Sequence, residues 1–313
     1  MASETTPVTE TWPTVSVVVP TKDRPQMLER ALRAIVAQDY AGALEVIVVF
    51  DGTDPELPAI DLPEGRTLQA LVNTRTPGLA GNRITGYLAT TGTYVAACDD
   101  DDVWFPYKLT RQMRLLRSRP DACGAGAGSA FHFEGKDTPR PAELPELTFD
   151  VLLDERHPEV HASTYLFDRR RLLDEIGLVD EELPAGYGED FELLLRATRL
   201  GPFVCVREPL IRAYQHRSSF FADRWRNIDE ALEHLIAKVP EFERAPHGLA
   251  PMEGQRAFAL AAAGDRRESR RLARSALKRD RRQRQAWASL VVSTRILSAD
   301  RVLTLARRFG RGI

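Results

Sequence analysis

The sequence predicts an α/β fold with a mostly parallel central sheet, flanked by helices and followed by an all-helical C-terminal extension. Residues 15–19 and Leu44–Phe50 are nearly continuous apolar runs rich in β-branched residues, as expected of strands buried on both faces. Residues 27–38 lie between them and carry apolar side chains on one helical stripe. Because this strand, helix, strand order requires a crossover connection, we expect the two strands to be parallel.

The same alternation continues along the chain. The next predicted elements are a strand at 67–72, a helix at 79–90, a strand at 94–98 and a helix at 107–118. A proline near the start of the last helix and a second proline just after its end are typical helix boundaries. Residues 123–148 are rich in Gly and Pro, which predicts a loop region around one short strand at 129–133 and a seam between two halves.

Beyond the seam the predicted elements become shorter and then almost wholly helical. They are a strand at 163–167, a short helix at 169–176 and a helix at 190–200, which ends at Gly201 and Pro202. Helical periodicity prevails from residue 223 onward. The stretches 257–263, 266–277, 284–293 and 300–308 could form two helical hairpins, although no repeat period is clear.

The composition excludes several classes of protein. With 313 residues, 43% of them hydrophobic and 28% charged, the chain can bury a sizeable core, unlike a disordered or fibrous chain. The sequence contains no apolar run of about 18 residues, the length that a membrane-spanning helix needs. Residues 1–13 are interpreted as a flexible segment without the character of a secretory signal, so we expect a cytoplasmic protein. Cys98, Cys123 and Cys205 fit reduced, packed thiols.

Charge is divided unevenly along the chain. Residues 255–313 carry 16 Lys or Arg against 4 Asp or Glu, a net of +12, which leaves −14 for residues 1–254. The acidic body argues against nucleic-acid binding. The basic helices have two interpretations, a solvated face or a peripheral contact with a protein or with the cytoplasmic face of a membrane. The residues concerned are Arg266, Arg267, Arg270, Arg271, Arg274, Lys278, Arg279, Arg281, Arg282 and Arg284, then Val302, Leu303, Leu305 and Phe309 beside Arg301, Arg307 and Arg308.

Four consecutive aspartates, residues 99–102, follow an apolar strand and precede Trp104. Adjacent carboxylates repel one another, so a bound cation stabilises their charged forms. Mg²⁺ and Mn²⁺ bind one or two carboxylates and complete their shells with phosphate oxygens and water. Ligands in open α/β sheets bind beyond the carboxyl ends of strands, and this position favours a metal site over a solvated acidic turn.

Two other acidic positions accompany this run. Asp51 follows the second strand and could accept hydrogen bonds from a nucleobase or a ribose, although Asp-Gly is also a common turn pair. Gly188, Glu189 and Asp190 lead into the predicted helix at 190–200. The helix dipole favours acidic residues in a first turn, which is a purely structural interpretation. In the functional interpretation one of the two carboxylates is a general base, and the glycine lets a substrate approach closely.

In order along the chain, these segments resemble the family 2 inverting glycosyltransferases over roughly residues 14–220. The resemblance lies in Val17-Val18-Val19-Pro20-Thr21-Lys22-Asp23-Arg24-Pro25, Val49-Phe50-Asp51-Gly52-Thr53, Gly81-Asn82-Arg83-Ile84-Thr85-Gly86, the four aspartates with Trp104, Pro106, Lys108 and Leu109, and Gly188-Glu189-Asp190. It implies the GT-A fold and a metal-dependent transfer of a sugar from a nucleotide-diphosphate donor, expected to be a UDP-sugar. The sugar would pass to an acceptor hydroxyl in a single displacement.

The resemblance also implies roles for individual residues. The donor would be bound by Pro20, Thr21, Arg24, Asp51, Arg83, Asp99 and Asp100, the acceptor by Trp104, Gly188 and Glu189, and Mn²⁺ or Mg²⁺ by Asp101 and His216, with Asp190 as the general base. Residues 14–222 would be the catalytic domain, with a nucleotide-binding half at 14–122 and an acceptor-binding half at 123–222, followed by the helical region 223–313. The acceptor would be a carbohydrate or a lipid-linked molecule, as in the biosynthesis of cell-envelope polysaccharides.

The sequence departs from the family pattern at three positions. Phe50 stands where an acid is common, Asp23 where Asn is frequent, and Ile84 where Asn usually follows the arginine. These departures bear on the identity of the base and on the donor contacts. The processive pattern of Gln, two residues, Arg and Trp is not evident, so we expect a single transfer rather than repeated polymer extension.

Two alternatives to this function stay open at the level of sequence. A metal-dependent nucleotidyltransferase could also use carboxylates on an α/β sheet, but no Gly-rich, Lys-bearing phosphate loop is evident near the N-terminus. A non-catalytic scaffold that binds sugar nucleotides is the other, and the joint presence of Asp99, Asp101 and Asp190 argues against it. A dinucleotide oxidoreductase is disfavoured because no Gly-x-Gly-x-x-Gly follows the first strand.

Overall fold

The computed structural model describes residues 11–215 and 225–308. The strands are β1 (Val15–Thr21), β2 (Leu44–Phe50), β3 (Arg66–Val72), β4 (Tyr94–Ala97), β5 (Val103–Trp104), β6 (Gly124–Phe133), β7 (Lys136–Arg140), β8 (Glu146–Leu147), β9 (Leu166–Asp168) and β10 (Phe203–Tyr214). The helices are α1 (Pro25–Val36), α2 (Leu79–Ala89), α3 (Lys108–Ser118), α4 (Phe149–Asp154), α5 (Glu189–Ala197), α6 (Trp225–Lys238), α7 (Pro246–Ala263), α8 (Arg266–Arg279), α9 (Arg284–Ser293) and α10 (Ala299–Arg308). The predicted α/β fold with a helical C-terminal region is confirmed.

These strands form one mixed sheet. Its spatial order is β3, β2, β1, β4, β9, β6, β10, β5, with β7 beside β6 and β8 beside β10. The first four strands are parallel, as the alternation predicts. Beyond β4 only β6 and β10 pair in parallel among the described residues, and the other pairs are antiparallel. Because β1, β2 and β4 run in the same direction, their carboxyl ends meet at one edge of the sheet.

The prediction that residues 123–148 are mainly loop is wrong. β6 is a ten-residue strand, and β7 and β8 follow it within the same stretch. The glycines of β6 make room for bulky neighbours: a Cβ atom on Gly126 would lie 2.5 Å from Val160 and 2.7 Å from the ring of Phe203. Glycine here marks close packing against a strand rather than a turn, and composition alone does not distinguish the two.

The second half of the sheet differs from the sequence prediction in two further places. The predicted strand at 163–167 is a 3₁₀ turn, Ala162–Thr164, followed by the short strand β9. The twelve-residue strand β10 is absent from the prediction. Its apolar pattern is interrupted between Val206 and Ile211, where its register against β6 shifts at Pro209, and such bulges hide strands from periodicity.

The helical region and the sheet share one hydrophobic core. Ile228 of α6 and Leu249 of α7 belong to the same buried cluster as Ile47 of β2. Farther along, α8 and α9 pack on the second half of α7 through a smaller cluster that includes Ala257 and Leu272. The core is continuous across residue 222, so the division of the chain there stays a prediction. No helix within the described residues combines the length and the apolar character needed to cross a membrane.

The contact between α7 and α4 allows a matched test of this shared core. A Cβ on Gly248 would lie 1.7 Å from the carbonyl oxygen of Leu153, whereas a Cβ on Gly254 of the same helix meets nothing closer than 3.4 Å. We expect Gly248→Ala to lower the free energy of unfolding by roughly 1–3 kcal/mol, the usual cost of overpacking. Gly254→Ala should leave the free energy of unfolding unchanged or raise it by up to about 1 kcal/mol, because alanine has a higher helix propensity than glycine.

Urea unfolding of both variants, followed by circular dichroism, measures this difference. Equal unfolding midpoints for the two variants would contradict the close packing of α7 on α4.

Candidate functional site

Acidic side chains meet at the edge where β1, β2 and β4 end. Thr21 closes β1 and pairs with Phe50 at the end of β2, and the four aspartates follow β4. The hydroxyl of Thr21 donates a hydrogen bond to Asp100 Oδ2 at 2.8 Å. Residues far apart in the sequence therefore contact each other at this edge, as expected for the ligand site of an open α/β sheet.

Arg83 of α2 connects this edge to the start of α5. Its side chain is buried, with Nη2 donating to Asp99 Oδ1 at 2.5 Å and Nη1 donating to Glu189 Oε1. Burial alone would raise the pKa of Asp99, but Arg83 and His161 hold that pKa below its usual value. Burial raises the pKa of Glu189 to about 8 even though Arg83 lowers it. The guanidinium thus holds the aspartate run and α5 in a fixed relation.

Arg24 contacts the middle of the aspartate run. Its Nη1 lies 3.2 Å from Asp100 Oδ1 and 3.1 Å from Asp101 Oδ2. Burial and the three neighbouring aspartates raise the pKa of Asp101 to about 7, although Arg24 lowers it. The single charge of Arg24 does not neutralise the run, because four carboxylates crowd together at a largely buried position. A bound cation would remove this excess of negative charge.

Asp102 is held by residues that sequence reasoning missed. Its Oδ2 accepts a hydrogen bond from Ser163 Oγ at 2.6 Å, and its Oδ1 accepts one from the backbone N–H of Tyr214 at 3.2 Å. His161 Nδ1 lies 3.3 Å from the same Oδ2. Burial raises the pKa of Asp102 to about 6 although His161 lowers it. Ser163 and His161 belong to a turn between β8 and β9, and no motif in the sequence singles them out.

The donor set in this region fits a divalent cation. Asp99, Asp102 and His161 each offer one ligand atom, and these atoms all lie within 4.8 Å of one another. Asp101 adjoins the same set and keeps 19% of its side chain exposed. Two or three carboxylates with an imidazole are ligands that Mn²⁺ accepts, and Mg²⁺ binds the carboxylates. Of the two ligands expected from the sequence, Asp101 lies here and His216 falls outside the described residues.

Asp190 lies in the first turn of α5, directly after Glu189. Gly188 precedes the helix with φ +78°, a backbone conformation that glycine adopts without strain. Arg156 Nη2 lies 3.5 Å from Asp190 Oδ1, and its guanidinium carbon lies 5.2 Å from the ring centre of Phe191. Burial lowers the pKa of His161, but Asp102, Asp99 and Asp190 raise it overall, so Asp190 acts electrostatically on His161. Arg156 is a second residue that the sequence did not single out.

Asp51 has a polar pocket of its own at the end of β2. It accepts hydrogen bonds from Lys22 Nζ at 3.2 Å and from Asn73 Nδ2 at 3.1 Å. Burial would raise the pKa of Asp51, but Asn73, the backbone of Gly78 and Lys22 hold it below its usual value. A carboxylate has about four lone-pair positions, so an ionised Asp51 can still accept hydrogen bonds from a ligand.

The remaining expected site residues, Pro20 and Trp104, are also buried. Pro20 lies within β1, and Trp104 of β5 is 2% exposed. Lys108 Nζ lies 3.8 Å from the centre of the Trp104 ring, and burial lowers the pKa of Lys108 to about 7. The donor role of Pro20 and the acceptor role of Trp104 stay predictions.

A family model described as glycosyl transferase family 2 matches residues 16–176, just over half of the chain. Among curated proteins, the succinoglycan biosynthesis protein ExoO of Rhizobium meliloti is 30% identical over 263 residues, which cover 78% of this chain and 72% of that protein. An uncharacterized glycosyltransferase of Rickettsia prowazekii is 26% identical over 214 residues. That match covers 65% of this chain and 64% of the relative, so the chain aligns with slightly less than two thirds of that protein.

Solved structures share the fold at low sequence identity. S. aureus TarS 1–349, in complex with UDP-GlcNAc, has a TM-score of 0.56 and 15% identity, covering 95% of this chain and 92% of that chain. Mannosyltransferase PcManGT from Pyrobaculum calidifontis, in complex with GDP-Man and Mn²⁺, has a TM-score of 0.53 and 20% identity, covering 96% and 81%. At such identities the likeness shows the fold alone.

The crowding around Asp101 predicts a pH-dependent effect on stability. Its pKa is raised from an ordinary value near 4 to about 7, so the folded state binds a proton that the unfolded state has released. Without divalent cation, the stabilisation of the folded state by this bound proton is lost as pH rises from about 4 to about 7. Asp101→Asn should therefore raise the free energy of unfolding at about pH 8. The change at that pH should exceed the change at about pH 4.5 by on the order of 2 kcal/mol.

Thermal and urea unfolding in the presence of a chelator measure this effect. Asp61→Asn, at an exposed loop position, is the matched control and should show no such pH-dependent gain. A destabilised Asp101→Asn protein at both pH values would contradict the proposed repulsion.

Proposed function

Because the chain belongs to glycosyl transferase family 2, we propose that it transfers a sugar from a nucleotide-diphosphate donor to an acceptor hydroxyl, in a single displacement that inverts the anomeric carbon. The observation that carries the proposal is the contact of Arg83 with both Asp99 and Glu189. Through it, the aspartate run after β4 and the carboxylates that begin α5 border the same site. A donor and an acceptor bound on its two sides would meet there.

The donor is proposed to lie along the carboxyl ends of β1, β2 and β4. Asp51 would accept hydrogen bonds from the nucleobase, and Thr21 and Arg24, already bonded to Asp100, would border the nucleotide with Pro20. Asp99 and Asp100 would contact the ribose or the donor sugar. Both uracil and guanine present ring N–H donors to a carboxylate, so the base is left open. The two solved neighbours bind UDP-GlcNAc and GDP-Man, which supports the class of donor.

Arg83 is proposed to act on the donor indirectly. Its two Nη atoms already donate to Asp99 and Glu189, and its side chain is 3% exposed. It would orient these carboxylates and would lower the electrostatic cost of a diphosphate bound nearby. Direct contact with the diphosphate stays a prediction for this residue.

A divalent cation, Mn²⁺ or Mg²⁺, is proposed to bind at the aspartate run. Asp101 is favoured as its ligand because its side chain is partly exposed, whereas that of Asp102 is buried. His216 is the second proposed ligand from the sequence, and Asp99 with His161 offers a further pair of ligand atoms. The bound ion would supply Lewis-acid stabilisation of the charge on the departing diphosphate. The neighbour bound to GDP-Man and Mn²⁺ supports this assignment.

Asp190 is proposed to accept the proton of the attacking hydroxyl. Arg156 would orient Asp190, because its Nη2 lies 3.5 Å from Asp190 Oδ1. Glu189 is hydrogen-bonded to Arg83 and buried, so it would hold α5 in place. Together with Gly188 and Trp104 it is also proposed to border the acceptor. General-base catalysis of this kind contributes roughly 10²- to 10⁴-fold to a rate.

The acceptor is proposed to be a carbohydrate or a lipid-linked molecule in polysaccharide biosynthesis. This rests on the similarity to the Rhizobium meliloti relative, a succinoglycan biosynthesis protein. A panel of nucleotide sugars, assayed for hydrolysis and for transfer to simple glycosides, tests the function. Release of nucleoside diphosphate from at least one donor supports a transferase. Release of sugar 1-phosphate, the group left when the nucleoside monophosphate is transferred, would indicate a nucleotidyltransferase, and tight binding without turnover a scaffold.

Replacing the proposed base predicts a loss of rate without a loss of donor binding. Asp190→Asn should lower the turnover of the donor selected by the panel about 10²- to 10⁴-fold, because the amide cannot accept the proton. Calorimetric titration should give a donor Kd within about twofold of the original protein, since Asp190 faces the acceptor side. Asp174→Asn, at an exposed position, is the control and should leave both values unchanged. Undiminished turnover in the Asp190 variant would remove this residue from the mechanism.

Chelation tests the proposed cation and its ligand. Activity should fall by roughly tenfold or more after treatment with a chelator, because the leaving diphosphate loses its charge compensation. It should return on addition of Mn²⁺ or Mg²⁺. Asp101→Asn should raise the metal concentration needed for half-maximal activity more than His161→Gln does. The reverse order would favour the set of Asp99, Asp102 and His161 as the binding site, and full activity after chelation would contradict metal dependence.

A further inference from the structure

Helix α8 presents a basic stripe to solvent. Arg267, Arg271, Arg274 and Lys278 are exposed and recur at the spacing of one helical face. The opposite face of α8 is apolar and packs against α7. Arg271, Arg274 and Lys278, with Ser275, also line a shallow depression of 330 Å³. This surface therefore offers several cations to an anionic group from outside the protein.

The next helix adds large apolar side chains. Trp287 and Val291 of α9 are 55% and 41% exposed, and with Arg284 they form its outward stripe. Ile296, just beyond α9, is 76% exposed. Trp287 Nε1 donates to the carbonyl oxygen of Arg281 at 2.9 Å, which holds the indole against the loop 280–283 between the two helices. We call the exposed side chains of α8, of this loop and of α9 the hairpin surface.

Most cations of the hairpin surface lack an acidic partner, although Arg271 pairs with Glu268 and Arg279 with Glu253. Across residues 11–215 and 225–308, no ion pair involves Arg267, Arg274, Lys278, Arg281, Arg282 or Arg284. Some exposed arginines elsewhere are matched, as in the pairs Arg33 with Glu29 and Arg111 with Glu208, but residues 266–284 carry ten Lys or Arg against two acidic residues, Glu268 and Asp280. A solvated face of packed helices would be expected to balance its charges in the same way. The imbalance points to an external anionic partner.

We propose that the hairpin surface binds peripherally to an anionic lipid bilayer. Arginine and lysine would bind the lipid phosphates, while Trp287, Val291 and Ile296 would enter the boundary between headgroups and acyl chains. This combination of cations with exposed apolar side chains favours a bilayer over a soluble polyanion, which would gain nothing from burying Val291 or Ile296. The contact is independent of the sugar transfer proposed above and would hold whatever the donor.

Vesicle flotation of the full chain tests this inference. We expect binding to vesicles of phosphatidylcholine with roughly one third phosphatidylglycerol, weak binding to pure phosphatidylcholine, and weakening as salt rises from about 0.05 M to about 0.5 M. The variant Arg281→Glu, Arg282→Glu, Arg284→Glu should bind at least tenfold more weakly, since each basic residue near an anionic membrane contributes roughly fivefold. Acidic residues near the start of α9 suit the helix dipole, so this variant should fold.

The matched control reverses the same number of charges elsewhere. The variant Lys136→Glu, Arg140→Glu, Arg207→Glu changes exposed residues of the sheet edge and should bind as the original chain does. A second readout is tryptophan emission, which should shift to the blue on addition of anionic vesicles and should not shift in Trp287→Phe. If the triple variant fails to fold, Arg282→Glu alone should still weaken binding severalfold.

Three outcomes would overturn the proposal. They are equal binding to neutral and anionic vesicles, an equal loss of binding in the control variant, and binding to heparin with none to vesicles. The last would assign the surface to a polyanionic polymer.

Discussion

The buried guanidinium of Arg83 is the contact on which the site depends. It joins Asp99, at the end of a parallel strand, to Glu189, at the start of α5. Arg83 and Glu189 are buried and Asp99 is partly exposed. Losing one partner of a buried ion pair typically costs about 3–5 kcal/mol because the other stays buried and unpaired. The site therefore forms as a unit, and the position of Asp190 follows from that of its neighbour Glu189. Arg83 thus connects α2 both to the aspartate run and to the start of α5.

The aspartate run has the opposite character, since its charges repel. Burial and mutual repulsion raise the pKa of Asp101 to about 7 and that of Asp102 to about 6. Hydrogen bonds from Thr21 and Ser163 and the nearby charge of Arg24 offset only part of this repulsion. Such an arrangement lowers stability when no ligand is bound and favours cations strongly, which is the usual relation between a functional site and its scaffold. The excess negative charge is consistent with a site that binds a metal and a diphosphate together.

The N-terminal half of the fold could be predicted because its strands are continuous apolar runs and its helices carry regular stripes. The second half could not. β6 contains glycines where Phe203 and Val160 press against the strand, and β10 is interrupted by a bulge at Pro209. Both features reflect contacts between distant segments, and a local pattern contains no information about such contacts. The short turn that carries Ser163 was mistaken for a strand for the same reason.

The sequence by itself determined the α/β alternation, the strand ends that carry Asp51 and the aspartate run, and the family, because these depend on residue types at fixed short spacings. Only the tertiary structure decided which charges meet: that Arg83 pairs with Asp99 and Glu189, and that His161 lies beside Asp102. Likewise, it showed that Arg267, Arg274, Lys278, Arg281, Arg282 and Arg284 form no ion pair among the described residues, whereas Arg271 and Arg279 do. The physical reason is that ion pairs and burial depend on distances through space, which folding sets and sequence separation does not.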